Sequence, residues 1–288
     1  MFKKEYRNHA FLICAMSIFG TIGIFRRYIP LPSGAVAFVR AAVGMLFLLL
    51  FLLCKRQKLN VSAIRQNLLP LLLSGVFLGF NWVLLFEAYK YTSVAVATLS
   101  YYMAPILLIL AAPIFLGERL TLKKGICAGV ALFGMVLVSG VLESGVKDAG
   151  ELRGIAMGLL AAVLYASIIL FNKRMQGIDA IDKTVVQFAV SALVLLPYVI
   201  FAEDVAFSAI TPAAVVLLLV VGVLHTGLAY TLYFGAVEKL HAGTVALFSY
   251  IDPVLAVLLS ALVLKEPMSL LCGIGAVLVL GAAYVSEK

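Results

Sequence analysis

The sequence predicts an all-α integral membrane protein: ten transmembrane helices arranged as two inverted five-helix repeats around a central cavity. Three observations predict it. First, the 288 residues are 64% hydrophobic and 12% charged, with a mean hydropathy of +1.13. Soluble domains are roughly 45–50% apolar and about 25% charged, so this chain cannot cover itself with a polar surface. That excludes a soluble enzyme or a nucleic-acid binder. Second, the apolar residues fall into runs of about 20, the length that crosses a bilayer core. Third, the two halves of the chain repeat each other at a fixed offset.

Taken in order, the spans are expected at 9–28, 34–54, 68–89, 93–116, 122–142, 154–172, 184–202, 212–235, 242–264 and 269–285. The first follows a charged start, Met1 to Arg7, as a signal peptide would. No small-x-small cleavage pattern closes the run, so a retained first helix is expected. The second span carries Arg40; the third carries Asn81, Trp82 and Glu87; the fourth carries Tyr101, Tyr102 and Pro105. Pairs of small residues, Gly75/Gly79, Gly125/Gly129 and Gly154/Gly158, suggest close helix packing in the third, fifth and sixth. The eighth holds His225, Tyr230 and Tyr233, and the ninth holds Ser249, Tyr250, Asp252 and Pro253. Cys14, Cys54, Cys127 and Cys272 all sit inside apolar runs and read as small buried residues rather than a disulfide or metal framework.

Lys and Arg set the orientation. The linker 55–67 carries Lys55, Arg56, Lys58 and Arg65, whereas its counterpart 203–211 carries none. With Lys3, Lys4, Arg7, Lys173, Arg174 and Lys183 on the same side as 55–67, both termini are expected to be cytoplasmic in a multi-pass protein of the cell (plasma or inner) membrane. The net charge of +8 is then the ordinary signature of basic inner loops.

The repeat is seen in FEAYKYTSVAVATLSYYMAPILLILAAPIFLGERLT and FGAVEKLHAGTVALFSYIDPVLAVLLSALVLKEPMS. An offset of 148 aligns Gly79 with Gly227, Phe86 with Phe234, Ala88 with Ala236, and Tyr102 with Tyr250. It also aligns Pro105 with Pro253, Glu118 with Glu266, Thr121 with Ser269, and Gly125 with Gly273. Five helices per copy is an odd number, so the second copy, 148–288, enters the membrane inverted relative to the first, 1–147. Inverted copies place a site at mid-depth between them.

This pattern resembles the ten-helix EamA-type carriers of the drug/metabolite transporter superfamily. The matching elements are a span ending in Phe-x-Ala, a small-residue helix with a central x-Pro, a Glu thirteen residues on and a Gly opening the next helix. They occur as Phe86–Ala88, Pro105, Glu118, Gly125 and again as Phe234–Ala236, Pro253, Glu266, Gly273. The resemblance covers essentially the whole chain. It implies a central cavity lined by helices 1–4 and 6–9, with helices 5 and 10 peripheral. It also implies alternating-access movement of small organic metabolites, amino acids or related compounds, with export expected. One departure is that the small multidrug-resistance relatives carry a membrane-embedded Glu in helix 1. The first span here has no acidic residue, since Glu5 precedes it, so a one-glutamate exchange mechanism does not carry over.

Candidate residues follow from depth. Pro105 and Pro253 each remove a backbone donor roughly 16–18 Å into the membrane and free the carbonyls of Tyr101 and Ser249. They read as helix kinks, for packing or for a gate. Arg40, Asn81 and Tyr101 share a depth of roughly 9–12 Å from the outer surface by the helical rise. An ionisable group in a span is a functional candidate by default. Arg40 either meets a substrate or gating carboxylate, or serves structurally by snorkelling or pairing with Glu87. Trp82 and Tyr230 occupy equivalent positions in the two repeats. With Tyr101, Tyr102, Tyr233 and Tyr250 they supply mid-span rings that suit a substrate cavity, and Ser249 adds a hydroxyl. Tyr28, Tyr89, Tyr91, Tyr198 and Tyr284 read as interfacial anchors. For a coupling proton the candidates are Asp252, His225 and Glu87. Each has a plain alternative: a hydrogen bond to the broken helix, a core histidine, and an ion pair with Lys90 three residues on. Glu118 and Glu266 lie just before Thr121 and Ser269 and read as structural, beside helix N-caps.

No Walker motif, metal cluster or nucleophile–base pair occurs, so neither a metal, a cofactor nor an enzyme is expected. The partners expected are a small-molecule substrate, the bilayer and a coupling proton or sodium, with no nucleic acid. Two alternative functions fit the sequence less well. An exchanger of phosphorylated or nucleotide-conjugated metabolites would want more mid-span cations than Arg40. A non-transport intramembrane enzyme or scaffold would want a convergent catalytic set.

Overall fold

The computed structural model describes residues 2–91, 97, 100–117, 121–139, 142, 149–205, 210–263 and 269–287. Among the described residues the chain is helices and short connections, with no strand. In chain order the helices are α1 (Phe2–Arg27), α2 (Ser33–Cys54), α3 (Val61–Gln66), α4 (Leu68–Tyr91), α5 (Ala104–Leu116), α6 (Leu122–Ser139) and α7 (Ala149–Arg174). They continue as α8 (Ala180–Ala202), α9 (Pro212–Gly222), α10 (Ala229–Val237), α11 (Ala242–Phe248), α12 (Ile251–Val263) and α13 (Leu270–Glu287). A π-helical segment, Val223–Leu228, carries α9 into α10.

Among the described residues, six stretches are long and apolar enough to cross a bilayer: Tyr6–Arg26, Ser33–Cys54, Leu68–Ala88, Leu152–Arg174, Ala180–Ala202 and Pro212–Val237. Shorter apolar helices occur at Ala104–Leu116, Ala242–Ala256 and Leu270–Ala282. The fourth and ninth expected spans are therefore not single long helices. The backbone turns at Tyr102 and Met103, and again at Ser249 and Tyr250. Pro105 then stands in the first turn of α5, and Pro253 in the first turn of α12. The reason is steric and electronic: proline lacks the N–H that an interior turn needs, but its fixed φ suits a helix start. Each proline thus opens a new helix after a break, instead of bending a continuous one. Helix α1 also begins earlier than hydropathy suggests, because an apolar stretch marks the membrane boundary and not the end of backbone hydrogen bonding.

Side-chain caps fix several helix starts. Thr121 accepts from the Lys124 amide at 3.2 Å, and Ser269 from the Cys272 amide at 3.2 Å, so both act as the N-caps expected. Glu118 and Glu266 lie outside the described residues. Helix α2 starts differently. The Glu203 carboxylate, just past α8, accepts from Gly34 N at 2.7 Å and Ala35 N at 2.8 Å. These are donors that no intrahelical carbonyl reaches, at the positive end of the helix dipole. Glu203→Ala is expected to lower stability by about 1 kcal/mol, read as a drop in the melting temperature of detergent-purified protein.

Helix α2 packs on α8, α4 lies against α7 and α8, and α1 lies against α10 and α12. Helices α6 and α13 pack on each other and turn Ile126, Phe133, Ile274 and Val277 outward. Exposed apolar side chains on this scale, up to Phe201 at 87%, suit lipid and not water. The close approach of α6 to α13 falls at Gly134, where a Cβ would stand 2.8 Å from the Gly275 carbonyl. The Gly125/Gly129 pair makes no such contact, since its face is open; small residues permit close packing but do not by themselves attract a partner. Gly75 and Gly158 do meet neighbours closely, at Val190 and Ser100. Cys127 and Cys272 are buried, but Cys14 and Cys54 are exposed on outward faces. Apolar runs in a membrane protein have a lipid side, so hydropathy alone does not bury a cysteine.

Candidate functional site

Helix α2 carries Arg40 into the middle of the bundle, where it is 3% exposed. Its guanidinium carbon lies 4.4 Å from the centre of the Trp82 ring on α4, within cation–π range. Its Nε donates to Thr226 Oγ1 at 3.2 Å. Thr226 sits in the π-helical segment and donates its own hydroxyl to the Val221 carbonyl, five residues back, at 2.8 Å. The widened turn thus aims the Thr226 oxygen at Arg40. Single π turns inside α-helices recur at functional sites. The Tyr230 hydroxyl is also within hydrogen-bonding reach of Arg40, and it accepts from Trp82 Nε1 at 2.9 Å. No described carboxylate pairs with this guanidinium; the ion pairs among the described residues are Lys90–Glu87 and Lys183–Glu238.

Asn81, adjacent to Trp82, is 1% exposed and donates through Nδ2 to the Ala161 carbonyl at 2.7 Å. Its Oδ1 has no hydrogen bond of good geometry among the described residues, although the Tyr101 side chain lies beside it. An acceptor left bare in the interior costs free energy unless something else donates to it.

A run of tyrosines extends from this point. Tyr101 stacks on Tyr165 at 5.5 Å, and Tyr165 on Tyr233 at 6.2 Å, with the last two hydroxyls 2.7 Å apart. Tyr102 and Tyr250, each at a helix break, face one another: their ring centres are 6.3 Å apart, and the Tyr250 hydroxyl donates to the Tyr102 carbonyl at 3.3 Å. Ser249 is buried; its hydroxyl donates back to Val245 O at 2.7 Å and lies beside Tyr233. Asp252, in the first turn of α12, faces the Tyr102 hydroxyl. Helix α1 closes this side, because Gly20 lets it approach: a Cβ there would stand 2.8 Å from the Asp252 carbonyl.

The structure therefore gathers Arg40, Asn81, Trp82, Tyr101, Tyr102, Tyr230, Tyr233, Ser249, Tyr250 and Asp252 into one aromatic and polar cluster. His225 lies at its edge. Its Nε2 is 2.7 Å from Thr21 Oγ1, and its ring packs on Phe25. Glu87 stands apart: it is hydrogen-bonded to Lys90 at the end of α4, the local pair that the spacing suggested. That hydrogen bond raises the Lys90 ammonium above its usual pKa.

Sequence reasoning missed Tyr165, Thr226, Phe19 and Phe188. Tyr165 was discoverable as another mid-span tyrosine. Phe19 (4.9 Å from Tyr230) and Phe188 (5.5 Å from Tyr230) carry no signal in an apolar run. Tyr165→Phe is expected to cost about 1 kcal/mol through the lost hydroxyl pair, measurable as a lower melting temperature with the stacking intact.

A chain whose described residues are helices and short connections, with this many apolar spans and outward apolar faces, is a multi-pass membrane protein. The sequence pattern of the EamA-like transporter family matches residues 8–140 and again 152–287. The chain is 30% identical over 248 residues to the uncharacterized transporter YxxF of Bacillus subtilis, covering 86% of this chain and 79% of that protein. It is 26% identical to the protein RarD of Salmonella typhi, covering 86% of this chain and 84% of RarD. One solved crystal structure shares the fold with a TM-score of 0.83 at 20% identity, covering 97% of this chain and 96% of the other. The chain belongs to the EamA-like transporter family, within the drug/metabolite transporter superfamily, and is a transporter.

Proposed function

We propose that this transporter is a secondary carrier for small organic metabolites that bear a carboxylate, amino acids or related compounds, moved by alternating access and exported from the cell. The observation that carries this reading is Arg40: a guanidinium 3% exposed, seated on Trp82, with no carboxylate partner among the described residues. A buried cation is expensive unless it is paired, and a substrate carboxylate would supply the charge-assisted bonds. The bare Asn81 Oδ1 nearby would accept an N–H from the same ligand, and the surrounding rings would cover its apolar part. Coupling to a proton through Asp252, or to sodium through oxygens at the helix breaks, would drive accumulation.

The architecture belongs to the same reading: ten spans, two inverted repeats split near 147/148, both termini cytoplasmic, in the cell membrane. Residues at the 148 offset meet each other directly, Trp82 with Tyr230 and Tyr102 with Tyr250. Partners related by a two-fold axis touch only where they straddle it, which supports an axis through this cluster. The α2–α8 and α6–α13 contacts likewise pair a helix with its counterpart. Lys58→Cys and Asp204→Cys, each in a background lacking the four native cysteines, are expected to react with an impermeant maleimide from opposite faces. Equal labelling of both from one face would overturn the inverted arrangement.

The substrate class is tested by a melting screen of the purified protein against metabolites, because a ligand that binds only the folded state raises apparent stability. Carboxylates carrying an amine are expected to shift the melt, and their amides are not. A hit set made only of carboxylate-free amines would exclude the reading.

A further inference from the structure

We propose that Lys183 and Glu238 are gating residues of the transport cycle, an ion-pair latch that joins α8 to the end of α10 and must open for passage at this mouth. The carrier reading underlies this inference. The observation is a basic residue where none was expected inside the fold. The sequence places Lys183 in a loop, yet it lies in the first turn of α8 and is fully buried. Its Nζ stands 3.3 Å from Glu238 Oε2 and 3.5 Å from the Asn172 carbonyl. Glu238 is the C-cap residue of α10, and its side chain keeps 31% of its exposure. One partner is thus sealed in the protein and the other reaches the edge, as a closure at a mouth requires.

Neighbouring bonds pull on the same pieces. Lys173, at the end of α7, donates to the Leu240 carbonyl just after α10. Arg174 donates twice to the Phe115 carbonyl near the end of α5, at 3.1 and 2.9 Å. The last turn of α7 therefore holds both the α10–α11 connection and the end of α5. These lead into the two broken helices, whose breaks flank the tyrosine cluster. A static scaffold would gain little from burying a lysine against a half-exposed glutamate, since desolvation offsets most of the attraction. A contact that must form and part in each cycle needs to be specific without being strong.

The experiment reads accessibility, not substrate. Thr184 is fully buried and lies one turn beyond Ala180, whose Cβ would be 3.6 Å from a Cβ on Gly235 of α10. It therefore sits on the α8 face turned toward α10. Thr184→Cys, in a background lacking the four native cysteines and held in lipid nanodiscs, is labelled with a water-soluble maleimide. Glu238→Gln and Lys183→Gln are each expected to raise the labelling rate roughly fivefold, as a partly exposed pair of modest strength should. The double variant should add little to either single one, and Lys239→Gln, which removes the neighbouring exposed lysine, should change nothing. Melting temperature is followed alongside; if Lys183→Gln does not fold, Glu238→Gln carries the test. Unchanged labelling in folded Glu238→Gln, or the same increase in Lys239→Gln, overturns the latch. Substrate binding is not measured, so this failure would leave the carboxylate reading standing, and failure of that reading in the melting screen would leave the latch standing.

Discussion

Arg40→Met is expected to leave the protein folded and as stable as the wild type, or more so, while weakening ligand binding about tenfold to a hundredfold. Two opposing terms decide the stability. The substitution loses the cation–π contact with Trp82 and the bond to Thr226, together about 2–3 kcal/mol. It also removes an ion that burial penalises by several kcal/mol and that no described carboxylate offsets. Methionine fills similar volume without a charge, so the second term at least cancels the first. Binding has no such compensation, because a carboxylate brought to this depth without its guanidinium keeps its full desolvation cost. Hydrogen bonds to charged groups contribute about 1.5–3 kcal/mol each, which sets the expected loss. The check is a melting curve for each protein, alone and with the carboxylates found by screening. A well-folded Arg40→Met that binds them as the wild type does would remove Arg40 from the site.

Asp252→Asn is expected to abolish accumulation driven by a pH gradient while sparing exchange of substrate down its own gradient. Asp252 is the acid that the structure places beside the helix break, facing the Tyr102 hydroxyl and backed by α1 at Gly20. A carboxyl there can bind and release one proton as the break reorganises, whereas asparagine cannot. Exchange needs no net proton movement, so it survives. His225→Gln is the companion variant; its imidazole is engaged by Thr21 and Phe25 at the edge of the cluster, and it is expected to retain pH-driven accumulation. If Asp252→Asn accumulates substrate on a pH gradient as well as the wild type does, the coupling group is elsewhere.

Much of this was legible in the sequence because membrane proteins write large features in simple terms. Composition alone demanded lipid, and the offset of 148 made Trp82 and Tyr230 counterparts before their contact was visible. Arg40, Asn81 and the tyrosines could be singled out because polar groups are rare in spans and therefore informative. The same logic hides apolar residues: Phe19 and Phe188 line the cluster, yet nothing distinguishes them from lipid-facing phenylalanines. Lys183 was misplaced for a related reason. A lysine at a hydropathy boundary reads as a loop residue, and only the backbone shows that α8 starts before it and that Glu238 waits on another helix. The breaks at Tyr102–Met103 and Ser249–Tyr250 were foreshadowed by Pro105 and Pro253. Their form, two helices instead of one bent helix, depends on the packing around them.

Passage of a carboxylate metabolite through the Arg40 cluster is best measured by counterflow. Vesicles containing the protein are loaded with unlabelled L-amino acids and then offered the same mixture in labelled form. Label is expected to accumulate transiently in wild-type vesicles and not in Arg40→Met vesicles holding equally well-folded protein. Wild-type vesicles that take up no more than protein-free ones, or Arg40→Met vesicles that match the wild type, would contradict it.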